Sequence, residues 1–163
     1  MKLLKLKANQ ANTGFSLIEV ITALAILVIM GSVAFLGLYN YRLRRGLEWD
    51  VQKISAAIRE ARNRSVTQLD GNQWGVHFEN PTSTPDFYQV FFGASYATGT
   101  PTGNRITLNN GIVFLNPSSS SSEDIIFSKV SGLPVSAISV AIGLISGSAS
   151  TTINIDSQGK VSY

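Results

Sequence analysis

Residues 20–41 form an uncharged run of 22, and a glutamate, Glu19, stands immediately before it. As a helix rising about 1.5 Å per residue, such a run crosses the roughly 30 Å hydrocarbon layer of a bilayer. It constrains the chain more than any other feature, because a segment this apolar needs lipid or other protein around it. A carboxylate at its edge is costly unless paired: insertion scales put a charge at a helix centre at about 2.5–3.5 kcal/mol. Glu19 therefore calls for a cation.

Three readings of the run compete. A secretory signal has a basic start, an apolar core of about 7–15 residues and a small-x-small cleavage site, for which Ser32-Val33-Ala34 could serve; the run is too long for it, and Glu19 stays unexplained. A plain N-terminal anchor would leave Glu19 among the headgroups. The third reading starts from the boundary between Gly14 and Phe15, where a short basic segment ends in glycine, the apolar stretch begins at once, and glutamate follows four residues later.

That boundary, in the stretch "GFSLIEV", resembles the prepilin class, the type IV pilins and type II secretion pseudopilins. The resemblance implies cleavage after Gly14 by a prepilin peptidase/methyltransferase and methylation of the new N-terminal Phe15. It also implies insertion of the chain, through an inner-membrane assembly platform, into a filament of pilin or pseudopilin subunits. Glu19 is then the assembly residue, paired with the Phe15 ammonium of the same or an adjacent subunit. The helix N-terminus adds about 0.3–1 kcal/mol for a negative side chain. The implied location is the cytoplasmic (inner) membrane, single-pass with the head outside, and afterwards an extracellular or periplasmic filament. Flanking charge does not orient the span by itself, since Lys2, Lys5 and Lys7 balance Arg42, Arg44 and Arg45. Many major pilins carry a proline midway along this helix; here the first proline is Pro81, and Gly31 and Gly37 are the weak points for local melting.

The net charge of +3 comes wholly from Lys2, Lys5 and Lys7; without residues 1–14 the chain has ten basic and ten acidic side chains. Residues 42–64 hold seven basic against three acidic groups, and residues 65–163 three against six. A basic helix leading into a mildly acidic head follows. With no cysteine, disulfides, thiolate metal sites and a cysteine-linked lipid are excluded.

Beyond Gly46 the pattern becomes amphipathic. Leu47, Val51, Ile54, Ile58, Ala61 and Ser65 recur at three- and four-residue steps and predict a helical stripe that packs on a sheet. Asp50 with Lys53, and Glu60 with Arg64, are spaced as surface ion pairs. Asp70-Gly71-Asn72 predicts the helix end. Period-two stretches then begin: "WGVHFE", "FYQVFF", short candidates at 105–108 and 111–115, "IIFSKV", "ISVAIGLI", "TTINID" and "KVSY". The expected fold class is α+β: a long N-terminal hydrophobic helix whose C-terminal half packs on an antiparallel β-sheet head. The expected segments are a leader over 1–14, a transmembrane/assembly half over 15–41, an amphipathic half over 42–69, and a β-rich head over 70–163. "AIREARNRSV", "IIFSKVSGLP" and "TINIDSQGKV" resemble the minor pseudopilin GspH/FimT-like branch.

Little else in the chain carries chemistry. His77 is the single histidine, so no multi-histidine site can form, and its alternation with Val76 and Phe78 predicts a solvent-facing side chain. Serines 118–122 predict a surface loop, lacking an activating base. Glu123, Asp124 and Asp156 lack calcium-loop spacing. No catalytic residue, cofactor or metal is expected. Arg42, Arg44, Arg45, Arg59, Arg62 and Arg64 could meet nucleic-acid phosphates, but lipid headgroups and acids of neighbouring subunits suit them better. Asn63-Arg64-Ser65 matches a glycosylation pattern on a predicted helix, where chance accounts for it. The leading reading is a non-enzymatic filament subunit; the rivals are a membrane-anchored extracytoplasmic binding module and a minor pilin aiding DNA uptake.

Overall fold

A computed structural model describes residues 14–163, apart from the side chains of residues 33–36. The leader expected over 1–14 therefore lies, except for Gly14, outside the described residues. The chain divides into two compact units between Tyr39 and Asn40. One helix, α1 (Leu17–Val66), supplies residues to both.

In the first unit α1 is apolar on every side. An 18-residue window within the helix has a mean hydropathy of 2.5 and buries none of its residues, so by length and composition it is able to cross a membrane. Gly31 and Gly37 sit inside this helix without breaking it.

In the second unit the amphipathic part of α1 meets two antiparallel four-stranded sheets. The first has the order β3 (Thr100–Thr107), β2 (Phe87–Phe92), β1 (Trp74–Asn80), β5 (Ser121–Phe127); the second runs β4 (Ile112–Asn116), β6 (Ile138–Leu144), β7 (Ser150–Ile155), β8 (Val161–Ser162). The expected α+β head is thus present, with its strands shared between two sheets. The predicted stripe is the packing face: Leu47, Val51, Ile54, Ile58, Ala61 and Ser65 are all buried. The five apolar ones join Trp74, Val76, Phe78, Ile125 and Phe127 of the first sheet and Phe114, Val140, Ile142 and Ile153 of the second in one core. At about 25 cal/mol per Å² of apolar area removed from water, this contact is the main attraction holding helix to sheets.

Polar groups join the two sheets where Phe78 meets Phe114 edge to face, 5.8 Å between ring centres. The buried Asn80 amide donates to the carbonyls of Phe114 (2.9 Å) and Pro117 (3.1 Å), and Asp86 accepts the Phe114 N–H at 2.6 Å. Without such partners, buried backbone groups in this seam would cost about 1–3 kcal/mol each.

The helix stops at Val66, and a 3₁₀ turn follows at Leu69–Gly71 with Gln68, Asp70 and Gly71 in the left-handed region. Ser65 fastens the exit: its hydroxyl accepts the Trp74 N–H (2.7 Å) and lies 3.1 Å from the Phe127 carbonyl, to which it donates. Arg64 lies 4.6 Å over the Trp74 ring and pairs with Glu60 as the spacing predicts.

Three local expectations need correction. His77 does not face solvent; it is 5% exposed, because the loop after β2 folds back and stacks Tyr96 flat on the imidazole at 3.8 Å. Asp50 is not a surface partner of Lys53: it is 2% exposed, and its two carboxylate oxygens accept the backbone N–H and side-chain amide of Asn109, each at 2.8 Å. The serine run is not all loop, since β5 starts at Ser121 and pairs with Asn80.

Candidate processing and assembly site

Gly14, Phe15 and Ser16 precede α1 in extended or irregular backbone, and the helix begins at Leu17. The Ser16 carbonyl accepts the Val20 N–H at 3.2 Å, which makes Ser16 the cap residue and Glu19 the third residue of the helix. Ser16-Leu17-Ile18-Glu19 thus has the spacing of a capping box, in which a serine and a glutamate three residues on satisfy the free N–H groups of the first turn. The sequence reading missed Ser16, although the S-x-x-E pattern was visible.

Glu19 is exposed in the first turn, where the helix dipole favours negative charge. It makes no ion pair among the described residues. The three predicted residues fall within six consecutive positions, and Phe15 is 82% exposed. Around them Leu17, Ile18, Val20 and Ile21 are exposed apolar side chains. Chemically the segment offers a peptide bond in irregular backbone, an acid about one helical turn away, and an apolar surface that no described residue covers.

The six candidate nucleic-acid arginines do not gather into one patch. Arg62 donates to the carbonyls of Gly132 (3.0 Å) and Gln158 (3.1 Å), tying two loops to α1. Arg64 is held by Glu60 and Trp74, and Arg45 by Tyr41 and Glu48. Arg42, Arg44 and Arg59 are exposed.

The head has an acidic cleft around His77, Glu79, Tyr96, Glu123 and Asp124. His77 Nδ1 lies 2.6 Å from Asp124 and Nε2 lies 3.4 Å from Glu79. Burial pushes the Asp124 carboxyl up, but hydrogen bonds from His77 and the Tyr96 N–H outweigh it and hold the group below its ordinary value. Burial raises Glu123, Asp50 and Asp86, against partial relief from Asn109 for Asp50 and from the Phe114 N–H for Asp86. Tyr88, buried near the Asp50 charge, is pushed up to about 12. Among the described residues, no group of three or more His, Asp or Glu side chains is placed to hold a metal ion.

The family described as the prokaryotic N-terminal methylation motif matches residues 9–35. The match covers Gly14, Phe15, Ser16 and Glu19 and supports a prepilin-like protein, a subunit of the type IV pilin or pseudopilin kind in general. A motif of this kind implies assembly with other pilin subunits and processing by a prepilin peptidase. Together with the long apolar helix it is consistent with membrane anchoring. No curated protein and no solved structure matches the chain.

Proposed function

We propose that this chain is a non-enzymatic structural subunit of a type IV pilus or type II secretion pseudopilus, cut after Gly14, methylated on Phe15 and assembled through the apolar part of α1. The observation that carries the reading is the arrangement at the start of that helix: an exposed Gly14–Phe15 bond followed by Glu19 in the first turn of an uncovered apolar helix. Proteolysis there creates an ammonium group beside the carboxylate, and the pair neutralises a charge that lipid or a filament core disfavours. Before assembly the inner membrane stores the subunit, head outside. Within the class, the stretches around residues 57–66, 125–134 and 152–161 favour a GspH/FimT-like minor subunit.

Two substitutions separate charge from capping. Glu19→Gln keeps the hydrogen-bonding side chain that a capping box accepts and removes the charge, whereas Glu19→Ala removes both. If pairing with the Phe15 ammonium governs assembly, both variants insert in the membrane and both are depleted from sheared filaments. Normal incorporation of Glu19→Gln would reduce Glu19 to a helix cap. Intact mass of the native chain decides the processing step: a product starting at N-methylated Phe15 is expected, and a chain retaining residues 1–14 overturns the reading in favour of a plain anchored binding module.

A further inference from the structure

Tyr41, Arg42, Arg44 and Arg45 are all exposed on α1, while Leu43 between them packs toward the core. At about 100° per residue these four side chains fan across roughly 160° of the helix, the whole half that the head leaves uncovered. Along the axis they occupy about 6 Å. A band that is wide across a helix and short along it suits a planar partner; a partner helix reads a stripe along the axis instead. The headgroup layer on each side of a bilayer is about 5–7 Å thick, which matches the height of the band. Its charge is largely unanswered: Glu48 takes Arg45 at 3.1 Å, and Arg42 and Arg44 have no ion pair among the described residues. Arg45 is also aimed by Tyr41, whose hydroxyl accepts its Nε–H at 3.0 Å and whose ring lies 5.4 Å beneath the guanidinium. In sequence the band takes in Tyr41, the last residue of the uncharged run, and the first charges after it, so a bilayer around that run ends at these residues.

We propose that Tyr41, Arg42, Arg44 and Arg45 form a binding band for anionic phospholipid headgroups that fixes how deeply the subunit sits in the membrane before assembly. The inference rests on the membrane-stored reading above and adds the lipid class and the residues that meet it. Guanidinium groups grip phosphate oxygens through paired N–H donors, and tyrosine prefers the interfacial layer. The depth set here decides where Glu19 and the Gly14–Phe15 bond are presented at the other end of the run.

The absence of cysteine makes the test direct. Single replacements Leu38→Cys, Asn40→Cys, Arg44→Cys and Gln52→Cys in the full chain carry spin labels into phosphatidylglycerol vesicles. Collisions with oxygen should dominate at 38 and collisions with a water-soluble nickel chelate at 52, crossing over within 41–45. A crossover displaced by more than one helical turn overturns the proposal. Native mass spectrometry of the full chain should show phosphatidylglycerol retained over phosphatidylcholine, and the triple variant Arg42→Gln/Arg44→Gln/Arg45→Gln should lose about fivefold affinity per arginine, about a hundredfold in all. Equal retention of both lipids, or an unchanged triple variant, also overturns it. If the boundary falls at 41–45 in a chain that never enters filaments, the filament reading fails and the band stands. If the chain assembles normally with its boundary elsewhere, the band fails alone.

Discussion

Asp124 on β5 holds His77, the one histidine of the chain, at 2.6 Å across the strand pair from β1. The second Asp124 oxygen accepts the Tyr96 N–H at 2.8 Å, and Tyr96 stacks on the same imidazole. One carboxylate thus pins a loop and a ring over the outer face of the first sheet. That is why a strand whose alternation resembled a half-exposed one is buried on both faces.

Acid should loosen this clasp. The Asp124 carboxyl titrates below its ordinary 3.8 in the folded chain, so its stabilising effect is complete above that value and is lost as pH falls through the lower folded one. Asp50, Asp86 and Glu123 are raised by burial and act with the opposite sign, favouring the folded state as they take up protons on the way down. An Asp124→Asn variant should be less stable at neutral pH and should show less further loss below about pH 4 than the parent chain. Denaturant unfolding of the detergent-solubilised full chain, followed by near-ultraviolet circular dichroism across that range, measures both slopes; parallel slopes would remove Asp124 as the acid-sensitive group.

Removing the Asp50 carboxylate should destabilise the head. Asp50→Ala leaves the Asn109 N–H and amide without their acceptor, a loss of about 1–3 kcal/mol. Asp50→Asn should cost less, because burial already disfavours the charged form that asparagine lacks. Unfolding midpoints of the two variants give the ranking, and an equal loss for both would show that the charge itself is what matters.

Gly75 should not tolerate a methyl group. A Cβ there would stand 2.5 Å from the Ile125 carbonyl oxygen and 2.9 Å from the Phe91 ring, inside the contact distance of either. Gly75→Ala should cost about 1–3 kcal/mol through displacement of β5 or Phe91. Thermal unfolding reads this as a lowered midpoint, and an unchanged midpoint would mean that β1 and β5 are less tightly apposed than described.

Ser65→Ala should uncouple the end of α1 from the first sheet. The wholly buried hydroxyl serves the Trp74 N–H and the Phe127 carbonyl, so its removal strands both at about 1–3 kcal/mol. Amide exchange at Trp74 should accelerate more than exchange at Val140 in the second sheet. Uniform acceleration would place the effect in global stability rather than at this junction.

Periodicity made much of the fold readable. The stripe from Leu47 to Ser65 and the alternation in "WGVHFE" and "ISVAIGLI" reflect burial of one face of a regular element, and regular elements write that face into the sequence at fixed intervals. Ser65 could be placed on the packing face, but its bond to Trp74 could not be read, because a serine at a stripe position looks like any small residue. Asp50, Asn80 and Asp86 were invisible as core residues for a related reason: a polar side chain is buried only when a distant segment supplies its partner, here Asn109 and Phe114. At the start of α1 the glycine boundary, Phe15 and Glu19 stood out because they lie within six residues of one another, whereas the cap residue Ser16 was passed over.

From the sequence by itself came the uncharged run, the acid at its head, the glycine boundary before it, the α+β order of elements and the faces that pack; all are set by neighbours within a few residues along the chain. Only the tertiary structure decided that the strands divide into two sheets, that His77 is enclosed by Tyr96 and Asp124, and that Asp50 turns inward to Asn109. Those outcomes depend on groups far apart in the chain meeting in space, and whether a buried charge or amide is tolerated depends on the partner it finds there.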